Sequence, residues 1–465
     1  MFFNFINYIA PTWYFNLHPK KEGLPYLIDV NLLSEEEQRI IAFDSNYSSS
    51  YISKLDAAYQ AFQKGMIKKD RKLALAPSNE LPKLEDEYYF IRKYYKSFWA
   101  IYILTIRILT GHNPFKEISA FIKTRNTKKV DLYQSTYKYS EYTNFQSALL
   151  QSHPFISVII PTLNRYNYLE DVLKDLEAQE YKNFEVIIID QSNPFKEGFY
   201  QNRNLNLQVI HQQEKALWFA RNKGIKLSKA DYLLFYDDDS RVESDWITQH
   251  LKTLDFFHAD ISSGVSLSVV GAKVPTHYGF FRWGDQIDTG NFLIKKEVFK
   301  TTGLFDLQFE GQRMGDGEFG LRCYLQGFQN ISNPYAKRIH LKVSEGGLRQ
   351  MGSWDAFRPK KLFSPRPIPS VNYFIRKYFG NKNAILNLLI NVPASIMPYR
   401  FKRYKLMLGL GSILFLVLLP LLVIPVIRSW NKASAMLREG EQIGFMDPII
   451  ATKLNDFKMP EGARR

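Results

Sequence analysis

Three consecutive carboxylates, Asp237, Asp238 and Asp239, close the run YLLFYDDD that begins at Tyr232. Like charges this close raise one another's pKa unless a cation neutralises them, so the three acids either hold a divalent ion or form a solvated turn that caps a helix starting near Ser240 or Glu243. Alternate residues of an extended segment share a face, which pairs Asp237 with Asp239 and turns Asp238 away. Oxygen ligands of this kind suit Mg or Mn. A second acidic group stands in GDGEFGLR, Gly315 to Arg322, where Asp316 and Glu318 open a helical pattern carrying Leu321 and Tyr324. Acids in a first helical turn also complement the helix dipole. Arg221, at the start of another helix-borne stretch, can place positive charge on a phosphate. The single cysteine, Cys323, allows no internal disulfide and no cysteine metal cage, and fits a small buried position on a helix.

The acids need elements to hold them. From Ile156 the chain reads ISVIIP, a helical pattern over Tyr166 to Gln179, EVIIID ending at Asp190, LQVIH, a helical pattern over Lys215 to Leu227, and then YLLFYDDD. Short apolar runs alternating with amphipathic helices predict an α/β domain built on a parallel sheet with crossover helices. Ligands of such sheets bind beyond the carboxyl ends of the strands. Pro161 to Arg165, Asp190 and the three acids all fall at those ends and should line one crevice.

Over Phe155 to Lys342 the motif series resembles the family 2 glycosyltransferases. It comprises SVIIPTLN (Ser157 to Asn164), VIIID, ARNKGI (Ala220 to Ile225), LLFYDDD with Asp245 and Trp246, GNFLIKKEVF (Gly290 to Phe299), GLFD (Gly303 to Asp306) and GDGEFGLR. The resemblance implies a Rossmann-like GT-A fold and a nucleotide-sugar donor, preferably a UDP sugar. Pro161, Thr162, Asn164, Arg165, Asp190, Arg221, Asp237 and Asp238 would contact that donor, with Asp190 accepting from the base. It implies that Asp237 and Asp239 hold the metal with His340 as third ligand, and that Asp316 is the general base. Gly315 stands where the family usually has Glu, which makes Glu318 a second candidate for the base.

At 465 residues the chain exceeds one compact core. Lys and Arg outnumber Asp and Glu 61 to 46, a surplus suited to anionic partners, yet no zinc spacing or RNA-recognition signature points to nucleic acid. The chain is expected to divide into a mainly helical region 1–152, the α/β domain 153–345, a Pro-rich and basic linker 346–383, an apolar helical segment 384–430 and a tail 431–465. The N-terminus lacks a basic n-region and a cleavage site, so it does not resemble a signal peptide. Ser97 to Thr110, SFWAIYILTIRILT, is too short to span a bilayer and is either a buried helix or an interfacial one. Leu406 to Ile427 is free of charge, and with Pro420 and Pro425 within it three forms are open: a spanning helix, a re-entrant or in-plane hairpin, or a soluble core helix. Each membrane form keeps the α/β domain at the cytoplasmic face.

The expected activity is inverting sugar transfer to a hydroxyl of a lipid-linked or membrane-proximal glycan, in cell-surface polysaccharide or glycoconjugate biosynthesis. The alternative is a catalytically inactive GT-A scaffold, or a nucleotide-sugar-binding partner in a membrane polysaccharide-assembly complex. A nucleotidyltransferase would carry a Gly-rich phosphate loop after the first strand, and PTLNRYNYL offers none. A processive synthase would bring several spanning helices.

Overall fold

The computed structural model describes residues 2–20, 25–268, 274–343, 345–348, 356–357, 361, 363–396 and 404–446. The chain forms two compact units, Met1–Phe145 with Pro275–Trp283, and Gln146–Val274 with Gly284–Arg465.

The first unit is mainly helical. Its longest helix, Ser50–Gln63, starts where the Ser49 side chain accepts from the backbone N–H of Ile52 and buries Leu55, Ala57, Ala58 and Ala61. Stacked and edge-on aromatics fill the interior, with Phe3 on Phe90 at 4.0 Å between centroids. Lys93 is buried with two acids, Asp56 at 2.7 Å and Asp44 at 2.8 Å, so its charge is matched inside the core. Residues 275–283 return to this unit: Phe281 packs edge-on against Tyr142 at 4.7 Å. A Cβ at Gly65, which has φ +82°, would lie 2.2 Å from the Phe281 carbonyl oxygen. Position 65 therefore excludes side chains.

The second unit is built on a mixed sheet. Its strands are β1 (Ile156–Thr162), β2 (Phe184–Asp190), β3 (Leu207–His211), β4 (Tyr232–Tyr236), β5 (Ser240–Val242) and β6 (Ile261–Ser268). After the short β7 (Arg282–Trp283) of the first unit come β8 (Asn291–Lys295) and β9 (Asn330–His340). The order is β3-β2-β1-β4-β8-β6-β9-β5. The first four strands are mutually parallel, as the alternation of strand and helix predicts. β8 runs antiparallel to both β4 and β6, and the sheet then ends with β9 and the antiparallel β5. β1 is followed by strands on one side and then by β4 on the other, so the switch point of the sheet lies between β1 and β4.

Local chemistry opens that point. The Gln191 amide donates to the Thr162 carbonyl, so Thr162 faces β2 and the preceding Pro161 faces β4. Pairing of β1 with β4 stops at Ile159, so the N–H that Pro161 lacks is one the ladder does not need. The crossover helices press closely on the sheet. Tyr166–Glu177 buries Leu169, Val172, Leu173 and Leu176, and in Leu217–Leu227 a Cβ at Gly224 would lie 2.6 Å from Ile159.

Two C-terminal helices complete the unit, Pro369–Ala394, broken at Gly380 (φ 78°, ψ 170°), and Lys405–Glu439. The expected linker to residue 383 is thus corrected: Pro369 sits at the helix start, where its missing N–H costs nothing, and the following turns bury Val371, Tyr373 and Phe374. The second helix runs through Pro420 and Pro425 and into the expected tail. Asn372 donates to Ser429 at 2.9 Å, and the Arg376 guanidinium lies 4.1 Å over the Trp430 ring, which ties the two helices together. Among the described residues no helix is long and apolar enough to cross a membrane. The apolar run does expose Leu406, Leu410, Ile413 and Val417. Residues 397–403, among them Arg400, Lys402 and Arg403, and residues 447–465 lie outside the described residues.

Candidate active site

The three acids leave β4 directly at the switch point, and all three are buried. Asp237 accepts from Arg221 on one oxygen and from Arg338 on the other, each at 2.8 Å. Asp238 points the other way, toward β1, accepting from Thr162 Oγ1 and from Arg165, also at 2.8 Å. Asp239 lies 3.3 Å from His340 Nε2 and 3.3 Å from Arg165. Residues at both ends of the motif series therefore meet at one place. Burial pushes Asp238 up to about 6, with Asp239 adding to the rise and Arg165 opposing it. Burial raises Asp239 too, but His340 and Arg165 outweigh it and hold this carboxyl below its usual value.

β5 brings in His340. Ser240 pairs with His340 in the antiparallel register, and the Leu341 amide donates to the Asp239 carbonyl at 2.9 Å. One ligand atom from each of Asp237, Asp239 and His340 lies within 4.8 Å of the other two. Two carboxylates and an imidazole form a hard to borderline donor set of the kind that holds a divalent cation.

Arg338, unforeseen in the sequence, joins this cluster. It is 1% exposed and, besides Asp237, donates to Ser240, Ser266 and both oxygens of Asp288. Its neighbour Ile339 is 41% exposed. A strand that buries its arginine and histidine and exposes its isoleucine has an inverted pattern, and R-I-H carried that signal. Gly290 belongs to the same cluster. A Cβ there would come within 2.0 Å of the Arg338 guanidinium and 2.2 Å of an Asp237 oxygen, so only glycine leaves room for the pair.

Asp190 ends β2, fully buried. Its Oδ2 accepts from the hydroxyls of Tyr166 and Tyr200, each at 2.7 Å, and its Oδ1 from the Ser192 amide at 2.8 Å. It fixes two aromatic side chains beside the β1 loop. Asn164, with φ 54°, ties that loop to the one after β2: its amide donates to Ser192 Oγ and its side chain accepts from the Asn193 amide. Arg165 also reaches the carbonyls of Glu345 and Val343, and Gly347 donates to the Leu163 carbonyl, so the segment after β9 straps the β1 loop down.

Asp316 and Glu318 share the helix Gly315–Leu325 but not an environment. Asp316 is half-buried at the helix start, where its side chain accepts from the Gly317 amide. Met314 just before it has φ 79°, a conformation costly for a residue with a side chain. A Cβ at Gly315 would lie 2.4 Å from the Trp218 ring. That is why the residue before the acid is glycine. Trp218 carries Arg221 over its ring at 5.1 Å, and Arg221 holds Asp237. Two side chains therefore link the start of the Asp316 helix to the acid cluster. Glu318 faces the other way, with no exposed surface, paired with Arg322 through both oxygens and accepting from Tyr378. Its carboxylate is occupied by the protein. Glu310, also unforeseen, accepts from the backbone N–H groups of Leu217, Trp218 and Phe219, and so caps the helix that carries Arg221.

With this geometry in hand, residues 157–308, about a third of the chain, match Glycosyl transferase family 2. The glycosyltransferase GlyA of Streptococcus pneumoniae is 29% identical over 113 residues, 23% of this chain and 16% of that one. A PGL/p-HBAD biosynthesis glycosyltransferase of Mycobacterium bovis is 27% identical over 216 residues, 43% of this chain and 78% of that one. The chain spans 30% or less of the length of the first three relatives it matches. Among solved structures, S. aureus TarS 1-349 in complex with UDP-GlcNAc aligns over 61% of this chain and 92% of that one, with a TM-score of 0.41 and 16% identity.

Proposed function

We propose that this chain is an inverting, metal-dependent glycosyltransferase that moves a sugar from a UDP-linked donor to a hydroxyl of a lipid-linked or membrane-proximal glycan, in cell-surface polysaccharide or glycoconjugate biosynthesis. The observation that carries the reading is the meeting of three residues at the sheet's switch point: Asp237 and Asp239, inside the stretch 157–308 that matches family 2 glycosyltransferases, and His340 from beyond it. A divalent ion held by these three residues would act as a Lewis acid toward the diphosphate leaving group. Arg221 and Arg338 fix Asp237 from both sides, and Arg165 bridges Asp238 and Asp239. Pro161, Thr162 and Asn164 would line the nucleoside site, and Asp190, which holds Tyr166 and Tyr200, would accept from the base there.

Asp316 takes the acceptor hydroxyl proton as that oxygen attacks the anomeric carbon from the face opposite the diphosphate. The new C–O bond forms as the bond to the diphosphate breaks, its electron pair leaves with the nucleotide, and the anomeric centre inverts. Glu318 serves the fold instead of the reaction. The exposed apolar side chains of Lys405–Glu439 support attachment of the enzyme to the cytoplasmic face of the membrane.

One observation favours the alternative of a catalytically inactive scaffold. Both oxygens of Asp237 accept from buried arginines, so the protein itself already matches this carboxylate. A screen of nucleotide sugars with purified protein, with and without Mn, separates the two readings. The enzyme reading expects Mn-stimulated release of UDP that disappears in Asp239→Asn. Equal release from that variant, or no turnover of any donor, overturns it.

A further inference from the structure

The first unit carries an apolar surface that nothing in the proposed chemistry uses. Its helices Ser97–Leu109 and Pro114–Lys123 pack on Leu84–Tyr94 through Ala100, Ile103 and Ala120, and through Glu117, which accepts from Tyr88 and pairs with Arg107 at 2.7 Å. With the inner faces pinned in this way, the outer faces are left to solvent. Phe98, Ile101 and Leu109 recur at one helical stripe and are 64%, 53% and 76% exposed. Phe115, Ile118 and Ile122 repeat the spacing on the second helix, with Phe115 83% exposed. Six large apolar residues on two adjacent helices exceed the scatter of single exposed hydrophobics on an ordinary surface.

The charges around these stripes say what covers them. Between residues 96 and 129 the only acid is Glu117, buried and neutralised by Arg107. Lys96, Lys116, Lys123, Arg125, Lys128 and Lys129 are exposed. Glu85, on the neighbouring helix, is the acid paired with Lys123, at 3.1 Å. Six cations beside the stripes would repel a second copy of the same face but attract an anionic sheet of headgroups. Thirteen residues make a helix of about 20 Å, which lies in an interface and does not cross it.

We propose that the Ser97–Lys123 hairpin is an in-plane docking element for anionic phospholipid, inserting its phenylalanines and isoleucines among the acyl chains while its lysines meet the headgroups. It is independent of the sugar-transfer site and of the C-terminal helix. Cys323 is 1% exposed, and burial pushes its thiol up and keeps it unreactive, so a single introduced cysteine can be labelled selectively in the full chain. The test places a nitrobenzoxadiazole probe at Phe115→Cys and adds phosphatidylcholine vesicles with or without phosphatidylglycerol. The expected result is a blue shift with phosphatidylglycerol vesicles, weakened by salt and absent with phosphatidylcholine alone. Combining Lys116→Glu with Lys128→Glu should weaken apparent vesicle affinity about tenfold or more. No shift with anionic vesicles, or an equal shift with both kinds, overturns the proposal. A shift that follows protein concentration without vesicles overturns it in favour of self-association. Because the probe reads the hairpin alone, sugar transfer can fail while docking holds, and the reverse.

Discussion

The second unit buries two acidic clusters, and they are built for different ends. At Asp306 and Glu318 the acids are spent on the protein: Glu318 pairs with Arg322 and Tyr378, Lys377 lies 3.6 Å from Glu318 and 4.0 Å from Asp306, and Asp306 accepts from the amides of Gln308 and Gln442. This cluster knits the helix that begins at Gly315 to the C-terminal helices. At Asp237 and Asp239 the acids are also matched by cations, but they converge with an imidazole on a common point at the switch between β1 and β4. Burial and ion pairing are common to both clusters, so neither marks function. Convergence of ligand atoms at a place the topology leaves open does.

The sharpest way to break this comparison is to neutralise one acid in each cluster. Asp239→Asn should lower sugar transfer by about 10³-fold or more, because it removes a ligand beside developing charge. Its thermal midpoint should barely move, since Arg165 keeps its bond to Asp238. A variant that transfers sugar normally would show that the convergence is structural. Asp316→Asn should follow, with transfer down about 10²- to 10³-fold and nucleotide-sugar affinity, measured by calorimetry, unchanged. Loss of donor affinity instead would move Asp316 out of the base role.

How much of this could be read from the chain depends on how far apart the partners lie. Asp237 to Asp239 announce themselves because an apolar strand ends in three charges within one stretch, and the alternation of strands and helices over 156–236 is local as well. Asp237 with Asp239 on one side and Asp238 on the other follows from the strand's own period. Arg338 is different: it meets Asp237 across 101 residues, through β9, whose place beside β6 and β5 no periodicity reveals. Glu310 capping Leu217–Leu227 and the return of 275–283 to the first unit are long-range pairings of the same kind. Asp316 and Glu318, two residues apart in one helical turn, are alike in composition. Only the packing of Tyr378 and Arg322 on one, and its absence from the contacts of the other, separates them.

That separation gives a stability test. Glu318→Gln leaves the guanidinium of Arg322 buried with uncharged partners only, the new amide and the carbonyls of Thr302 and Leu304, and removing one side of such a pair costs about 3 kcal/mol. Urea denaturation should show a loss of that order, against little change for Asp239→Asn. If transfer per folded molecule also collapses in Glu318→Gln, the closed cluster takes part in the reaction and the contrast between the two fails.

The smallest effect is its pH dependence. Burial raises the Glu318 carboxyl, but Arg322, Lys377 and Tyr378 outweigh it and hold the group below the usual glutamate value. A carboxyl whose folded pKa is depressed contributes stability above its unfolded value, about 4.3, and loses it as pH falls through the folded one. Asp306 works against it, since burial and the neighbouring Glu318 push its pKa up, so part of the loss is offset. Other depressed carboxyls, such as Glu37 at about 2, belong equally to wild type and Glu318→Gln and cancel between them. The difference in unfolding free energy between the two proteins should therefore be constant above about pH 6 and shrink as pH approaches about 3. A difference that grows with acid would mean that Glu318 is protonated in the folded chain, and that this cluster, too, holds a proton it can give away.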